Sequence, residues 1–218
     1  MIVVNLKTYQ EITQRNRGVA LAQSAQEVFK RYQIPIMLCV QATDIKKTTE
    51  ATFLPVFAQH IDPIEPGKHT GFISPLSVKE NGATGTLINH SEHRIGLENI
   101  EKTIRIAKQY NLQTLVCVEN AQEGKQVAKF EPDMIALEDP VLIGGSESIV
   151  NNPEGKAKVE EFIKLRLKPK CLVGAGVKDQ NDIRVSLQLK AAGVLLASGV
   201  ALADNPKAVL EDLSQGFK

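Results

Sequence analysis

The sequence contains no tryptophan and few other aromatic residues, which make up 5% of the chain. Cysteine is also scarce. The chain has three, Cys39, Cys117 and Cys171, which are odd in number and far apart in the sequence. This usage argues against the disulfide framework of a small secreted domain. Each cysteine stands in a short apolar run, so we expect buried, reduced thiols and neither a disulfide nor a metal site.

Positive and negative charges are nearly balanced, since the chain has 26 basic and 25 acidic residues and a formal net charge of +1. Without a dense basic cluster, nucleic acid is not an expected partner. No apolar run approaches the roughly 18–20 residues that span a bilayer, and the first residues do not resemble a signal peptide. We therefore expect no membrane association and a cytoplasmic protein.

The 218 residues are expected to form one domain, residues 1–218, in which short apolar runs alternate with helical patterns. Most runs lack polar alternation, as is typical of parallel strands buried on both faces. The eight runs are Ile2–Leu6, Ile36–Val40, Phe53–Ala58, Thr84–Asn89, Thr114–Val118, Met134–Leu137, Cys171–Val173 and Val194–Ala197. This order predicts the α/β class and a single (β/α)8 barrel, with an open doubly wound sheet as the alternative. Because such barrels usually have about 250 residues, shortened helices and loops are expected.

Polar side chains follow three of these predicted strands. Asn5 and Lys7 come at the end of the first, His90 follows the fourth, and Glu138 follows the sixth. Any one of them alone is weak evidence, because such residues are more often surface or structural. In this barrel architecture, however, chemistry is found at the carboxyl ends of the strands. The pattern therefore predicts that these side chains meet at one rim.

Small residues follow the last three predicted strands, at Gly144-Gly145, Gly174-Ala175-Gly176 and Ala197-Ser198-Gly199. Such loops expose backbone N–H groups, and the seventh and eighth loops are the customary phosphate site of this architecture. Each glycine alone is explained equally well by an ordinary turn. Their recurrence favours a phosphate-bearing ligand.

Several motifs together resemble the triosephosphate isomerases of the short archaeal type over essentially the whole chain. The motifs are Asn5-Leu6-Lys7, Pro55–His60, Asn89-His90-Ser91-Glu92, Ala136-Leu137-Glu138, Leu142–Gly145, Gly174-Ala175-Gly176 and Leu196–Gly199. The resemblance implies a TIM barrel enzyme that interconverts D-glyceraldehyde 3-phosphate and dihydroxyacetone phosphate through an enediolate, a step of glycolysis and gluconeogenesis. It also implies that no metal or organic cofactor is needed and that the chain forms a homodimer or homotetramer.

The resemblance implies a role for each residue of the predicted site. Glu138 is similar to the catalytic base, His90 to the electrophile, and Lys7 to the cation that binds the anionic substrate beside Asn5. The family is known for a neutral histidine next to a helix N-terminus, and we expect Ser91-Glu92 to begin that helix. The expected substrate contacts, chiefly to the phosphate, are Ile143, Gly144, Gly176, Ala197 and Ser198, and a lid is expected over residues 139–150.

The sequence departs from the family pattern beside the base. Asp139-Pro140 follows it where relatives usually have proline directly, and we expect Asp139 to point to solvent. His93 stands where arginine is common, and His60 and His69 are expected to be interface or structural residues. Two alternatives remain open: another phosphate-handling barrel, such as a sugar-phosphate epimerase or synthase, and a barrel retained as a binding module without activity.

Overall fold

The computed structural model of the chain describes residues 1–140 and 148–218. Eight parallel strands form a closed barrel in sequence order. In order from β1 to β8, the strands are Ile2–Asn5, Ile36–Val40, Val56–Ala58, Gly85–Ile88, Gln113–Val118, Met134–Glu138, Lys170–Gly174 and Gly193–Leu196. Strand β8 pairs with β1, with Val3 opposite Leu195. The predicted barrel is therefore confirmed, and this closing pair excludes the open doubly wound sheet.

Helices connect the strands around the outside of the barrel. In the described residues they are α1 Gln10–Thr13, α2 Arg17–Tyr32, α3 Ile45–Thr49, α4 Pro75–Glu80, α5 Gly96–Gln109, α6 Ala121–Val127, α7 Pro153–Lys164, α8 Gln180–Gln188, α9 Ser198–Ala201 and α10 Pro206–Gln215. The predicted shortening is evident in α3 and α4, which have 5 and 6 residues. Helix α8 is capped by Asp179, whose side chain accepts from the N–H groups of Asn181 and Asp182.

The core has two layers because side chains alternate along each strand. On β6, Met134 and Ala136 belong to the cluster that fills the barrel, whereas Ile135 and Leu137 pack against the surrounding helices. The same alternation turns Glu138 into the barrel at its carboxyl end. It also turns the next residue outwards, towards the helices.

The cysteines agree with the prediction of reduced thiols. All three are free, and Cys39 and Cys117 lie in the barrel interior. Cys171 is only partly buried, because it lies on the outward face of β7. None of the helices in the described part of the chain has the length and apolar character to span a membrane.

Candidate active site

One cavity at the carboxyl rim of the barrel brings the predicted residues together. Its volume is about 320 Å3, and its walls include the side chains predicted for chemistry and two of the small-residue loops. The predicted residues that line it are Asn5, Lys7, His90, Glu138, Gly176, Ala197 and Ser198. The remaining predicted contacts, Ile143 and Gly144, lie outside the described residues.

The loop after β1 holds Lys7 in a left-handed conformation, with a φ of 46° that residues with a β-carbon seldom adopt. Hydrogen bonds support this geometry from both sides. The Lys7 N–H donates to Asn5 Oδ1 at 3.0 Å. The Gln59 side-chain amide donates to the Lys7 carbonyl at 3.0 Å and to Asn5 Oδ1 at 3.1 Å. Gln59 therefore joins the loops after β1 and β3 and fixes the direction in which the lysine leaves the strand.

The Lys7 ammonium donates to Glu92 Oε1 at 2.6 Å. The lysine side chain is 12% exposed and the glutamate side chain is 55% exposed, so the pair spans from the cavity to solvent. Glu92 and Gln59 lie within motifs that carried the family resemblance, although the sequence suggested no contact with Lys7 for either. Their contacts show that both orient the lysine.

The loop after β4 places His90. Asn89, which directly precedes it, has a φ of 62° and is buried. Its amide donates to the Cys117 carbonyl at 3.0 Å, and its Oδ1 accepts from the Ile95 N–H at 3.0 Å. These bonds tie both ends of the loop to the barrel.

The tautomer of His90 follows from its backbone contact. The Glu92 N–H donates to His90 Nδ1 at 3.2 Å, so Nδ1 is an acceptor and the ring proton belongs on Nε2. The Glu92 carboxylate lies 3.6 Å from the same nitrogen, beyond hydrogen-bond distance, and is engaged by Lys7. The expected helix at Ser91 is not formed, because residues 91–93 make a turn and α5 begins at Gly96. A turn N–H, and not a helix N-terminus, thus keeps Nδ1 unprotonated.

Glu138 faces His90 across the cavity, with 3.7 Å between its Oε2 and His90 Nε2. The residue is 5% exposed, and among the described residues its Oε2 is buried without a hydrogen-bond partner. An unsatisfied buried carboxylate oxygen is uncommon and is typical of a functional group. Burial raises the pKa of the Cys117 thiol beneath it, and the charge of Glu138 raises that pKa further. The thiol is therefore neutral.

The loops after β7 and β8 present backbone to the other side of the cavity. Gly176 has a φ of 76°, which favours glycine. Helix α9 begins at Ser198, and the N–H groups of Val200 and Ala201 donate to the Ala197 carbonyl. The preceding N–H groups, those of Ser198 and Gly199, come before the first intrahelical donors and are suited to an anion.

Asp139 is buried, so the expectation that it points to solvent is wrong. Its side chain is 7% exposed and its Oδ2 accepts from the Lys158 ammonium of α7 at 2.6 Å. The alternation along β6 explains this position, because the residue after the inward Glu138 must face the helix layer.

His60 and His93 lie beside this cavity. The rings of His60 and His93 are 4.4 Å apart, and His60 Nε2 lies 3.3 Å from Asp62 Oδ1. Both histidines line a second cavity of about 460 Å3, which adjoins the first and shares Lys7 and His90 with it. Burial lowers the pKa of His60, against the opposing effect of Asp62. The interface role expected for His60 and His69 stays a prediction.

Within residues 1–140 and 148–218, no three His, Cys, Asp or Glu side chains are grouped so that they would hold a metal ion. The groups around the cavity are instead a carboxylate, a protonated imidazole nitrogen and an ammonium. These are the groups that general acid–base catalysis and stabilisation of a developing oxyanion require.

Comparison with known proteins identifies relatives along the whole chain. The family model described as triosephosphate isomerase matches residues 1–213. The triosephosphate isomerase of Methanobacterium bryantii is 41% identical over 216 residues, which cover 98% of this chain and 95% of the relative. That of Methanocaldococcus jannaschii is 41% identical over 215 residues, 98% of each chain. The crystal structure of triosephosphate isomerase from Bartonella henselae superimposes with a TM-score of 0.76 at 20% identity, covering 99% of this chain and 98% of that one.

The fold and the cavity define a protein of the (β/α)8-barrel class, with polar groups around a cavity at its carboxyl rim. The family match and the archaeal relatives narrow this class to one reaction. The chain belongs to the triosephosphate isomerase family. It is an isomerase that interconverts D-glyceraldehyde 3-phosphate and dihydroxyacetone phosphate, a step of glycolysis and gluconeogenesis.

Proposed function

We propose that Glu138, His90 and Lys7 perform this isomerisation in the 320 Å3 cavity. The observation that carries the proposal is the unsatisfied Glu138 Oε2, 3.7 Å from the protonated nitrogen of His90. Glu138 removes a proton from C1 of dihydroxyacetone phosphate and returns it to C2 of the enediolate, while the hydroxyl proton on the C1 oxygen is transferred to the C2 oxygen. A single carboxylate serves both carbons, since they are adjacent.

His90 stabilises the charge that develops on the substrate oxygens. Its Nε2–H donates to the carbonyl oxygen, while the Glu92 N–H keeps Nδ1 unprotonated. A donor held in place before the reaction costs no reorganisation in the transition state. The backbone N–H of Glu92, which orients the His90 ring, therefore contributes to the rate of isomerisation.

Lys7 supplies a positive charge next to the same oxygens and to the anionic substrate. Asn5 and Gln59 hold its backbone, and Glu92 holds its ammonium. Because the lysine side chain is only 12% exposed, its charge is less screened than that of a surface residue. Its removal should weaken substrate binding more than it affects the fold.

The phosphate group is proposed to bind between the loops after β7 and β8. Gly176, Ala197 and Ser198 line this part of the cavity, and the N–H groups of Ser198 and Gly199 precede the first intrahelical donors of α9. Ile143 and Gly144 are proposed as further contacts on the basis of the sequence. Backbone donors suit a phosphate because they present partial positive charge without a titratable group.

Turnover by the purified protein tests the proposal directly. Initial rates are measured with glyceraldehyde 3-phosphate and, in the reverse direction, with dihydroxyacetone phosphate. His90→Gln is expected to keep the fold and lose most of kcat. A folded wild-type protein that binds a phosphate-bearing analogue without any turnover would instead favour a binding module.

Assembly is the second part of the proposal. The loop between β3 and α4 presents Phe72 at 56% exposure. Phe72, His60 and His93 line a further cavity of about 360 Å3, distinct from the two described above. We propose that this loop packs against a second copy of the chain in a homodimer or homotetramer. Light scattering coupled to gel filtration should give a mass of two or four chains, and a monomer would contradict the proposal.

We also propose that residues 1–218 act as one catalytic domain and that the enzyme works in the cytoplasm. The barrel uses strands from both ends of the chain, since β1 and β8 pair. A single thermal transition monitored by calorimetry is expected for such a domain. Cell fractionation with activity assays tests the location.

A further inference from the structure

We propose that Lys158 is a positioning residue for the catalytic base, acting through its ion pair with Asp139. This inference rests on the proposed role of Glu138. It concerns a contact outside the cavity, on the helix side of the barrel wall.

The end of β6 has less strand support than its middle. On the β7 side the pairing extends to Glu138 opposite Gly174, but on the β5 side it stops one residue earlier, at Leu137 opposite Val118. Asp139 is thus the first residue beyond the ladder. Backbone that leaves a sheet is free to shift unless another contact holds it.

The ion pair supplies such a contact on the outward face. Lys158 Nζ donates to Asp139 Oδ2 at 2.6 Å, and the aspartate side chain is 7% exposed. Because the carboxylate is buried, the attraction is less screened than in a surface pair. The bond joins the residue after the base to helix α7.

Helix α7, which carries Lys158, is itself held in place by a capping hydrogen bond and by buried side chains. Its first turn is capped by Asn152, whose Oδ1 accepts from the Gly155 N–H at 2.9 Å. Val159 and Phe162 are fully buried in the outer core. The Lys158 side chain, itself 44% exposed, therefore starts from a fixed backbone.

The consequence for catalysis follows from the alternation along the strand. Glu138 points into the barrel and Asp139 points out, so a shift of Asp139 pivots the backbone that carries the base. A displacement of about 1 Å in a reacting group can cost about 100-fold in rate. The ion pair thus holds Glu138 at its distance from His90 without touching the substrate.

Lys158→Met tests the inference, because it keeps most of the side chain's length and apolar contact but removes the charge. We expect kcat to fall at least about tenfold with KM within about threefold of wild type, since the phosphate contacts are untouched. Lys158→Arg should restore most of kcat. Lys164→Met is the matched control, because it removes a lysine charge from the same helix at a solvent-exposed position. The Lys164 side chain is 78% exposed, and its Nζ lies 3.8 Å from Glu160 Oε2, beyond hydrogen-bond distance.

Asp139→Asn and the double variant with Lys158→Met complete a cycle. If the two side chains act as one contact, the double variant should lose no more kcat than the worse single variant. Thermal unfolding of every variant separates positioning from loss of folded protein. Should Lys158→Met fail to fold, Asp139→Asn is compared with wild type instead. The same result is then expected, namely a kcat at least about tenfold lower with KM within about threefold.

Wild-type kcat in folded Lys158→Met, or a loss that only follows the unfolded fraction, would overturn the inference. So would independent, additive effects of the two substitutions. Failure of the proposed base is distinguishable, because it would show as unchanged turnover in variants of Glu138 itself.

Discussion

Shortening the proposed base by one methylene group, in Glu138→Asp, changes its reach without changing its charge. The lost carbon withdraws the carboxylate by about 1.5 Å, the length of one C–C bond. The gap to His90 Nε2, now 3.7 Å, would widen to roughly 5 Å along that direction. A general base contributes about 100-fold to 10,000-fold, and misplacement by more than 1 Å removes much of that. We therefore expect kcat to fall by about 100-fold or more, about 2.7 kcal/mol in the barrier.

The assay combines steady-state rates in both directions with exchange of carbon-bound hydrogen into deuterated water, followed by NMR. Both should slow together, because each requires the same proton transfer. KM should stay within about threefold, since the phosphate loops are unaffected. Glu160→Asp, on the outer face of α7, is the control. A folded Glu138→Asp with kcat within about threefold of wild type would refute the assignment of the base.

Three further variants probe other parts of the structure. Lys7→Ala should raise KM at least about tenfold while thermal stability changes little, and an unchanged KM in steady-state assays would contradict its role in binding. Burial lowers the pKa of His60 below its usual 6.5, so the unfolded chain binds more protons between the two values and stability declines as pH falls through this range. In urea unfolding at several pH values, the free energy of unfolding of His60→Gln should therefore fall less with decreasing pH than that of the wild type. An identical fall in both proteins would be inconsistent with this account. Gly85→Ala should destabilise the barrel by about 3 kcal/mol, because its Cβ would lie 2.4 Å from Phe57 Cζ, and denaturant unfolding with less than about 1 kcal/mol of change would count against it.

The family and the barrel were accessible from the sequence because their signals are local and repeated. Eight apolar runs, each followed by a helical pattern, suffice to predict a parallel sheet, and the polar residues at the strand ends mark the rim. Seven of the predicted site residues line one cavity. Most strand boundaries shifted by at most one residue; for example, the fourth run was predicted to include Asn89, but β4 ends at Ile88. The exception is the third strand, which was predicted from Phe53 but begins at Val56.

The residues that orient the site were harder to predict. Gln59 and Glu92 stand in recognisable motifs, yet nothing in their local sequence shows that they hold Lys7 from two different loops. The segment at Ser91 was expected to be helical because of the family resemblance, whereas residues 91–93 form a turn. The partner of Asp139 lies 19 residues away on another element, so no local pattern indicates it.

By itself, the sequence determined the class of fold, the likeness to a family and the kinds of group that serve the chemistry, since periodicity and residue type are properties of short segments. Only the tertiary structure decided which nitrogen of His90 faces Glu138 and where the charge of Asp139 is placed. Both depend on contacts between segments that are distant in the chain or on the exact course of a turn. Closure of β8 onto β1 creates those contacts, because it brings the ends of all eight strands to one rim.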